Sequence, residues 1–331
     1  MRTTGFRSLL AGAATALLAG GIALGAAGEA RAEYPERPVT LLVAWGAGGG
    51  TDIVARQFAA LLEQELGQPV NVVNQTGGGG VVGHVAMANA EPDGYTVGVA
   101  TMEVTVYQSM GLADIGPDSY TPIIRLAAIP AGLTVKADSP YQSAEELLAA
   151  IKEQPKGTFK SSGCGIGCAW HFAATGWMQK EGLPPDQILW IPSQGGAPAL
   201  QDLVAGGLEM VTASVVESRS LLEAGEIRAL AVMNDERQAA FPDVPTLEEA
   251  TGADWSMSTW FGLVGPKGMP EEAVETLEAA AAKVYDSDAF QAFMEERGYV
   301  AVGESPEEFQ AFMAGQAEQL SGLIEELGLA K

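Results

Sequence analysis

The sequence predicts an α/β protein of two domains with a ligand cleft between them, on three observations. Apolar strand runs alternate with amphipathic helical stretches, the order that builds parallel sheets flanked by helices. Two glycine-rich turns, at 46–50 and 77–80, each lead from a strand into a helix in the first half of the chain. Two Ser/Gly turns, "SSGCG" and "SQGGA", hold the equivalent place in the second half.

The elements follow in order. Arg2 and Arg7 precede an Ala/Leu/Gly run over 9–27, and Ala30-Arg31-Ala32 follows it. A positive end, an apolar centre and a small-residue exit predict a secretory signal over 1–32, cleaved after Ala32. The run approaches the length of a membrane span, but its Gly and Ala content makes it weakly hydrophobic for a retained anchor. About 299 residues then remain, enough for two domains, in a setting outside the cytoplasm where disulfides persist and free ATP or NAD is scarce.

Residues 39–45 form a continuous apolar run, as expected of a strand covered on both faces. Thr51 is the expected N-cap of a helix whose Val54, Phe58, Leu61 and Leu62 recur at helical spacing until Gly67 and Pro69 stop it. A strand at 70–73, a small-residue helix near 81–90, a "PDG" turn and a strand at 95–100 complete the first set. After "AAIPAGLTVKADSP" a second set begins. Ser143 and Glu146 have capping-box spacing for a helix to Glu153. Strands are expected at 158–161, 188–191, 208–213 and 227–232, with helices to Lys180, after "PSQGG" and near 216–224. From about Glu271 the chain reads as nearly all helical, returning to cover the first domain.

The chain carries 18 basic and 42 acidic residues, a net of −24. Loss of residues 1–32 removes three Arg and one Glu, leaving 15 basic against 41 acidic residues. No nucleic acid is expected as a partner, because phosphate neutralisation needs a basic patch. Such an acidic surface suits high salt, where ions screen the repulsion, and gives a distant anion no steering. An anionic ligand must therefore be held by short-range dipoles. A strand that ends in a glycine turn at a helix start supplies them, since unpaired N–H groups and the helix dipole point at one spot. Residues 46–51 read G-A-G-G-G-T, which lacks the last Gly or Ala of a dinucleotide fingerprint, and no G-K-[ST] follows, so no P-loop is present. Tight packing alone would also use glycines here. The repetition of such turns in both halves favours a cleft lined by helix N-termini, with a carboxylate as its ligand.

Seven blocks carry a family resemblance: "YPERPVTLLVAWGAGGGTDIVAR", "QPVNVVNQTGGGG", "EPDGYTVGVAT", "GGAPALQDLVAGGLE", "AGEIRALAV", "FPDVPTLEEA" and "WFGLVGPKGMP". In sequence and order they resemble the periplasmic solute-binding receptors of tripartite tricarboxylate transporters, the Bug receptors, across the chain beyond the signal. The resemblance implies a Venus flytrap fold, closing on a small di-, tri- or aromatic carboxylate without catalysis or cofactor. It implies a monomer that delivers the ligand to membrane permease subunits. Domain 1 is expected at 33–130 plus 258–331 and domain 2 at 131–257, with hinges near 126–134 and 232–260.

Carried over residue by residue, the resemblance places Trp45 at an aromatic position before the first loop, with Gly48, Gly49, Thr51 and Asp52 matching G-G-x-[ST]-D. Gly78, Gly79 and Gly80 match the second loop, and Thr101 faces ligand after the third strand. In domain 2, Ser162, Gly163 and Gly165 match S-G-x-G, with Cys164 inside that turn. His171 matches a His one turn into the next helix, Ser193 and Ala197 belong to the "PSQGGAP" turn, and Ser214 follows a strand. Where relatives often carry Y-K-G this chain has Ser193-Gln194-Gly195, and Ala213 replaces a frequent Asp. Asp52 could equally serve only the helix dipole, Trp45 could be core, and His171 suits loop orientation better than ligand contact. His84, which belongs to no motif, is expected to be structural.

Cys164 and Cys168 stand four apart and are expected to form a disulfide that shapes the binding turn more than it stabilises the fold. Cys164, Cys168 and His171 also have spacing for three metal ligands or for a thiol and its base, but no fourth ligand is evident. The competing functions are thus an exported thiol- or metal-dependent enzyme and a sensor accessory protein that presents ligand.

Overall fold

The computed structural model describes residues 34–331, so the expected signal over 1–32 lies outside the described residues. No helix among the described residues is long and apolar enough to cross a membrane.

In the first half, strand β1 (Val39–Val43) lies between β2 (Val70–Asn74) and β3 (Thr96–Ala100), and both pairings are parallel. Parallel strands need crossovers, and helices α1 (Gly50–Leu66) and α2 (Val81–Ala88) supply them. Helix α1 buries Val54, Ala55, Phe58, Ala59 and Leu62, the stripe that its spacing predicts, and ends at Gly67 in the left-handed conformation. One detail differs from expectation. The helix starts at Gly50, capped by Gly49 in an extended conformation, and Thr51 is buried inside the first turn, not at the cap. A Cβ on Gly50 would meet Ile129 Cδ1 at 3.3 Å, so glycine lets the helix begin this close to the sheet.

Strand β4 (Tyr120–Lys136) is 17 residues long and serves both halves. Up to Pro130 it pairs antiparallel with β9 (Ser258–Pro266), and from Ala131 it pairs antiparallel with β8 (Ile227–Met233). Around it the second half assembles from α3 (Ala144–Glu153), β5 (Lys160–Ser162), α4 (Ala169–Lys180), β6 (Leu189–Trp190) and α5 (Gly196–Val204), followed by β7 (Met210–Val211), α6 (Arg219–Glu223) and α7 (Leu247–Thr251). Strands β5, β6 and β7 run parallel, and the sheet order is β2-β1-β3-β9-β4-β7-β5-β6. They are shorter than the apolar runs suggest, because residues such as Ile188 and Ala213 are buried in the flanking loops.

Helices α8 (Glu271–Asp286), α9 (Asp288–Arg297) and α10 (Pro306–Glu326) return to the first half, α8 against α1 and α10 against β4. The expected all-helical end is broken by strand β10 (Val300–Glu304), which adds to β4 antiparallel. Strand β4 therefore runs through both lobes, the chain returns to the first at β9, and a cleft opens between them.

Candidate functional site

The cleft encloses about 750 Å³. Its first wall is the turn from β1 to α1, residues 46–51, with Trp45 beside it and Ile129, Phe261 and Tyr299 behind. The Gly50 and Thr51 amides in the first turn of α1 take no carbonyl partner among the described residues, and both residues line the cleft. Gly48 has φ +81°, a conformation natural to glycine, and its N–H is turned back to Asp52 Oδ2 at 2.8 Å.

Asp52 thus holds the loop from beneath and does not line the cleft. It also accepts from Arg56 Nε at 3.0 Å and from Asn74 Nδ2 at 2.8 Å, and Asn74 Nδ2 reaches the Trp45 carbonyl at 3.0 Å. Burial acts to raise its pKa, but Arg56, the Gly48 amide and Asn74 outweigh that and hold the carboxyl below the usual range.

Below Trp45 runs a buried polar chain. Trp45 Nε1 donates to Thr101 Oγ1 at 3.1 Å, and Thr101 Oγ1 donates to the Glu103 carboxylate. The Thr101 N–H donates to His84 Nε2 at 3.3 Å, which leaves the proton on Nδ1, 2.9 Å from Tyr107 Oη. Tyr107 Oη donates to the Gly79 carbonyl at 3.0 Å. Burial pushes the His84 pKa down to about 3, so the ring is neutral and structural in this chain. Gly78, Gly79 and Gly80 all have positive φ; Gly78 and Gly79 are exposed, while Gly80 packs behind the wall, where a Cβ would meet Tyr107 Oη at 2.8 Å and Trp45 Cζ2 at 3.0 Å. They do not line the cleft. Gly79 instead approaches Gly165 of the opposite lobe.

The second wall holds Cys164, Trp170, Gln194, Gly195, Gly196, Ala197 and Glu217. Cys164 and Cys168 are joined as a disulfide. Ser162 lies under the wall and donates to the Ile191 carbonyl at 2.6 Å, and Gly163 is pressed against Trp170, where a Cβ would come within 2.6 Å. His171 Nδ1 accepts from the Gly167 N–H at 3.0 Å, and burial pushes its pKa down to about 4. The ring orients the disulfide turn and lies outside the cleft lining. Ser193 fixes the same region, donating from its N–H to the Cys164 carbonyl at 3.0 Å and from Oγ to the Gly195 carbonyl at 3.2 Å. Ser214 donates to Glu217 Oε2 through both its N–H, at 3.3 Å, and its Oγ, at 3.1 Å. Among the described residues no three His, Cys, Asp or Glu side chains are gathered as for a metal ion.

Of the expected residues, Trp45, Gly48, Gly49, Thr51, Cys164 and Ala197 line the cleft, while Asp52, Thr101, Ser162, Gly163, His171, Ser193 and Ser214 support it from behind. Sequence reasoning missed Glu103 and Glu217. Both carboxyls are pushed upward by burial, against the opposing effect of Thr101 and the Ala169 amide on Glu103 and of Ser214 on Glu217. The one available signal was the S-x-x-E spacing of Ser214 and Glu217, which resembles a helix cap.

A family model described as "Tripartite tricarboxylate transporter family receptor" matches residues 54–329. The chain belongs to the tripartite tricarboxylate transporter receptor family. Among its relatives is a UPF0065 protein of the gbd 5' region of Cupriavidus necator, 34% identical over 325 residues and covering 97% of each chain. A TctC solute-binding protein from Polaromonas is 36% identical, with a TM-score of 0.70 over 88% of this chain and 99% of that one. A Rhodopseudomonas palustris protein solved with adipate is 30% identical, with a TM-score of 0.82 over 90% and 99%. Another from that organism, MatC with bound malate, is 26% identical, with a TM-score of 0.78 over 88% and 100%. The receptor family has a two-domain periplasmic-binding fold, and its members bind rather than catalyse, so Cys164, Cys168 and His171 are not the centre of an enzyme.

Proposed function

We propose that this chain is the periplasmic receptor of a tripartite tricarboxylate-type transporter, working as a monomer. It is exported by the signal at 1–32, captures a small carboxylate between its domains and hands it to the membrane permease subunits. The domains are 33–130 with 258–331 and 131–257. The divide falls where β4 changes partner between Pro130 and Ala131, and β9 brings the chain back at Ser258. Those crossings are the hinges, and ligand shifts an open and a closed state by touching both walls.

The observation that carries this reading is the wall at 46–51. Its residues line the cleft, the Gly50 and Thr51 amides take no carbonyl partner among the described residues, and the Asp52 carboxylate is turned away to hold the loop. That leaves the dipole of a 17-residue helix for a ligand carboxylate. Gly48 and Gly49 leave room for that group to approach and the Gly50 and Thr51 amides hold it, with Trp45 along its side and Cys164 and Ala197 opposite.

Thermal unfolding of the purified protein against mono-, di-, tri- and aromatic carboxylates tests the reading. A ligand at about 100 times its Kd stabilises by about 2.7 kcal/mol, a rise of a few degrees. A flat response across the panel with ligand-free protein would count against it.

A further inference from the structure

Two helices of the second lobe, α4 and α5, start at the cleft, and each N-terminus already meets a carboxyl group of the protein itself. Glu103, from the opposite lobe, faces the Ala169 amide at the start of α4, which favours its charged form. Glu217 lies against Gly196, the first residue of α5, where a Cβ would come within 2.9 Å of Oε2 and 3.0 Å of Oε1. Glycine at 196 is what makes room for that carboxyl. Oε2 is held by the N–H and hydroxyl of Ser214, whereas Oε1 takes no hydrogen bond among the described residues. Glu217 is only partly buried, and its exposed portion is in the cleft lining.

The second lobe thus sets an acceptor, Glu217 Oε1, beside the first-turn amides of α5. Two arginines line the cleft, Arg219 over the Phe241 ring with one Nη donating to the Glu296 carbonyl at 3.1 Å and Arg297 over Phe293, against the four acids Glu103, Glu217, Glu223 and Glu296. A second ligand carboxylate would stand beside Glu217 at short range, where like charges cost most. An ammonium or amide end would instead satisfy its free oxygen. The aromatic walls formed by Trp45, Trp170, Phe261 and Tyr299 suit a cationic end.

We propose that the ligand is a monocarboxylate whose far end carries an ammonium or amide group, and that Glu217 is the residue that selects it. This deepens the receptor reading above and rests on it.

Isothermal titration of the full-length mature protein with matched ligands separates the two. The probes are the dicarboxylates, their monoamides and the corresponding ω-amino acids, at four to eight carbons. The expected result is at least tenfold tighter binding of a monoamide or ω-amino acid than of the dicarboxylate of equal length. Glu217→Gln, which keeps the shape and the Ser214 contact, should reduce that preference at least tenfold while binding of the first carboxylate persists. Tighter binding of the dicarboxylate by the wild type would overturn the inference and leave the receptor reading intact, and so would a preference that Glu217→Gln does not change. If no member of any series binds, both fall. Should the dicarboxylate bind tightly only as pH is lowered, Glu217 shares a proton with it, and the selection for a donor-bearing end is wrong.

Discussion

At the scale of single residues, the cleft depends on groups that do not line it. Asp52 is the clearest case, since one carboxylate holds the Gly48 amide, Arg56 and Asn74. Asp52→Asn leaves the volume but loses charge-assisted bonds, and about 1–3 kcal/mol of stability should go with them. Because its pKa is depressed in the folded protein, this contribution is fully present above the unfolded value of about 4 and lost as pH falls through the lower folded value. The stability gap between wild type and Asp52→Asn, measured by urea unfolding, should therefore be widest near pH 7 and close below pH 4. The two histidines act in the same direction by a different route. His84 and His171 are held neutral when folded, at pKa values of about 3 and about 4, and charge more readily when unfolded. Stability should thus fall as pH drops from about 6.5 toward 4, and His171→Asn should flatten that slope. A slope unchanged in the variant would remove His171 from the account.

At the scale of elements, the two helix starts that face each other across the cleft carry different roles, and each can be tested separately. Gly49 caps α1 in an ordinary extended conformation, and an added Cβ would meet only the Gly46 carbonyl, at 3.3 Å. Gly49→Val should cost about 1 kcal/mol through the cap yet weaken carboxylate binding more than tenfold by obstructing the approach to the amides. Equal affinity in the variant would move the carboxylate elsewhere in the cleft. Across from it, the disulfide of Cys164 and Cys168 closes a very short loop, so the chain-entropy argument assigns it less than the ~3 kcal/mol of a 15-residue loop. Reducing it should lower Tm by only a few degrees while affinity drops further, since Cys164 lines the wall and Cys168 caps α4. The glycine turns and the Cys pair were legible because both have local signatures. Strand β10 was not, because five residues of weak alternation between two helices become a strand only by pairing with the far-off β4. Glu103 was illegible for a related reason, since an acidic residue in a loop reads as solvated until the tertiary structure closes over it, and Glu217 carried only its S-x-x-E spacing with Ser214.

The whole molecule sets a net charge of −24 against a core that must hold two lobes around an open space. Contacts already bridge the lobes away from the floor of the cleft, including Arg219 to the Glu296 carbonyl and Gln238 Nε2 to the Gly298 carbonyl at 3.0 Å. Apolar contacts bridge the lobes as well, with Gly298 against Ala240, Val216 and Phe241, and Gly167 against Met110. The ion pairs do little to offset the excess charge. Arg37 with Asp93 and Lys156 with Asp186, for example, are exposed on both sides, and such pairs contribute at most about 1 kcal/mol each. The dominant electrostatic effect is therefore diffuse repulsion among acidic groups, which acts over the distance that salt controls. At 0.1 M ionic strength the screening length is about 10 Å, long enough for neighbouring surface carboxylates to interact, and at 1 M it is about 3 Å. Stability should rise with sodium chloride over that interval and level off once the screening length falls below the spacing between charges. A Tm series from 0.05 to 2 M at pH 7 reads this directly. A curve that stays flat or falls would mean that local pairs outweigh the net charge. One that climbs linearly past 1 M would assign the effect to salt exclusion from the surface and not to screening.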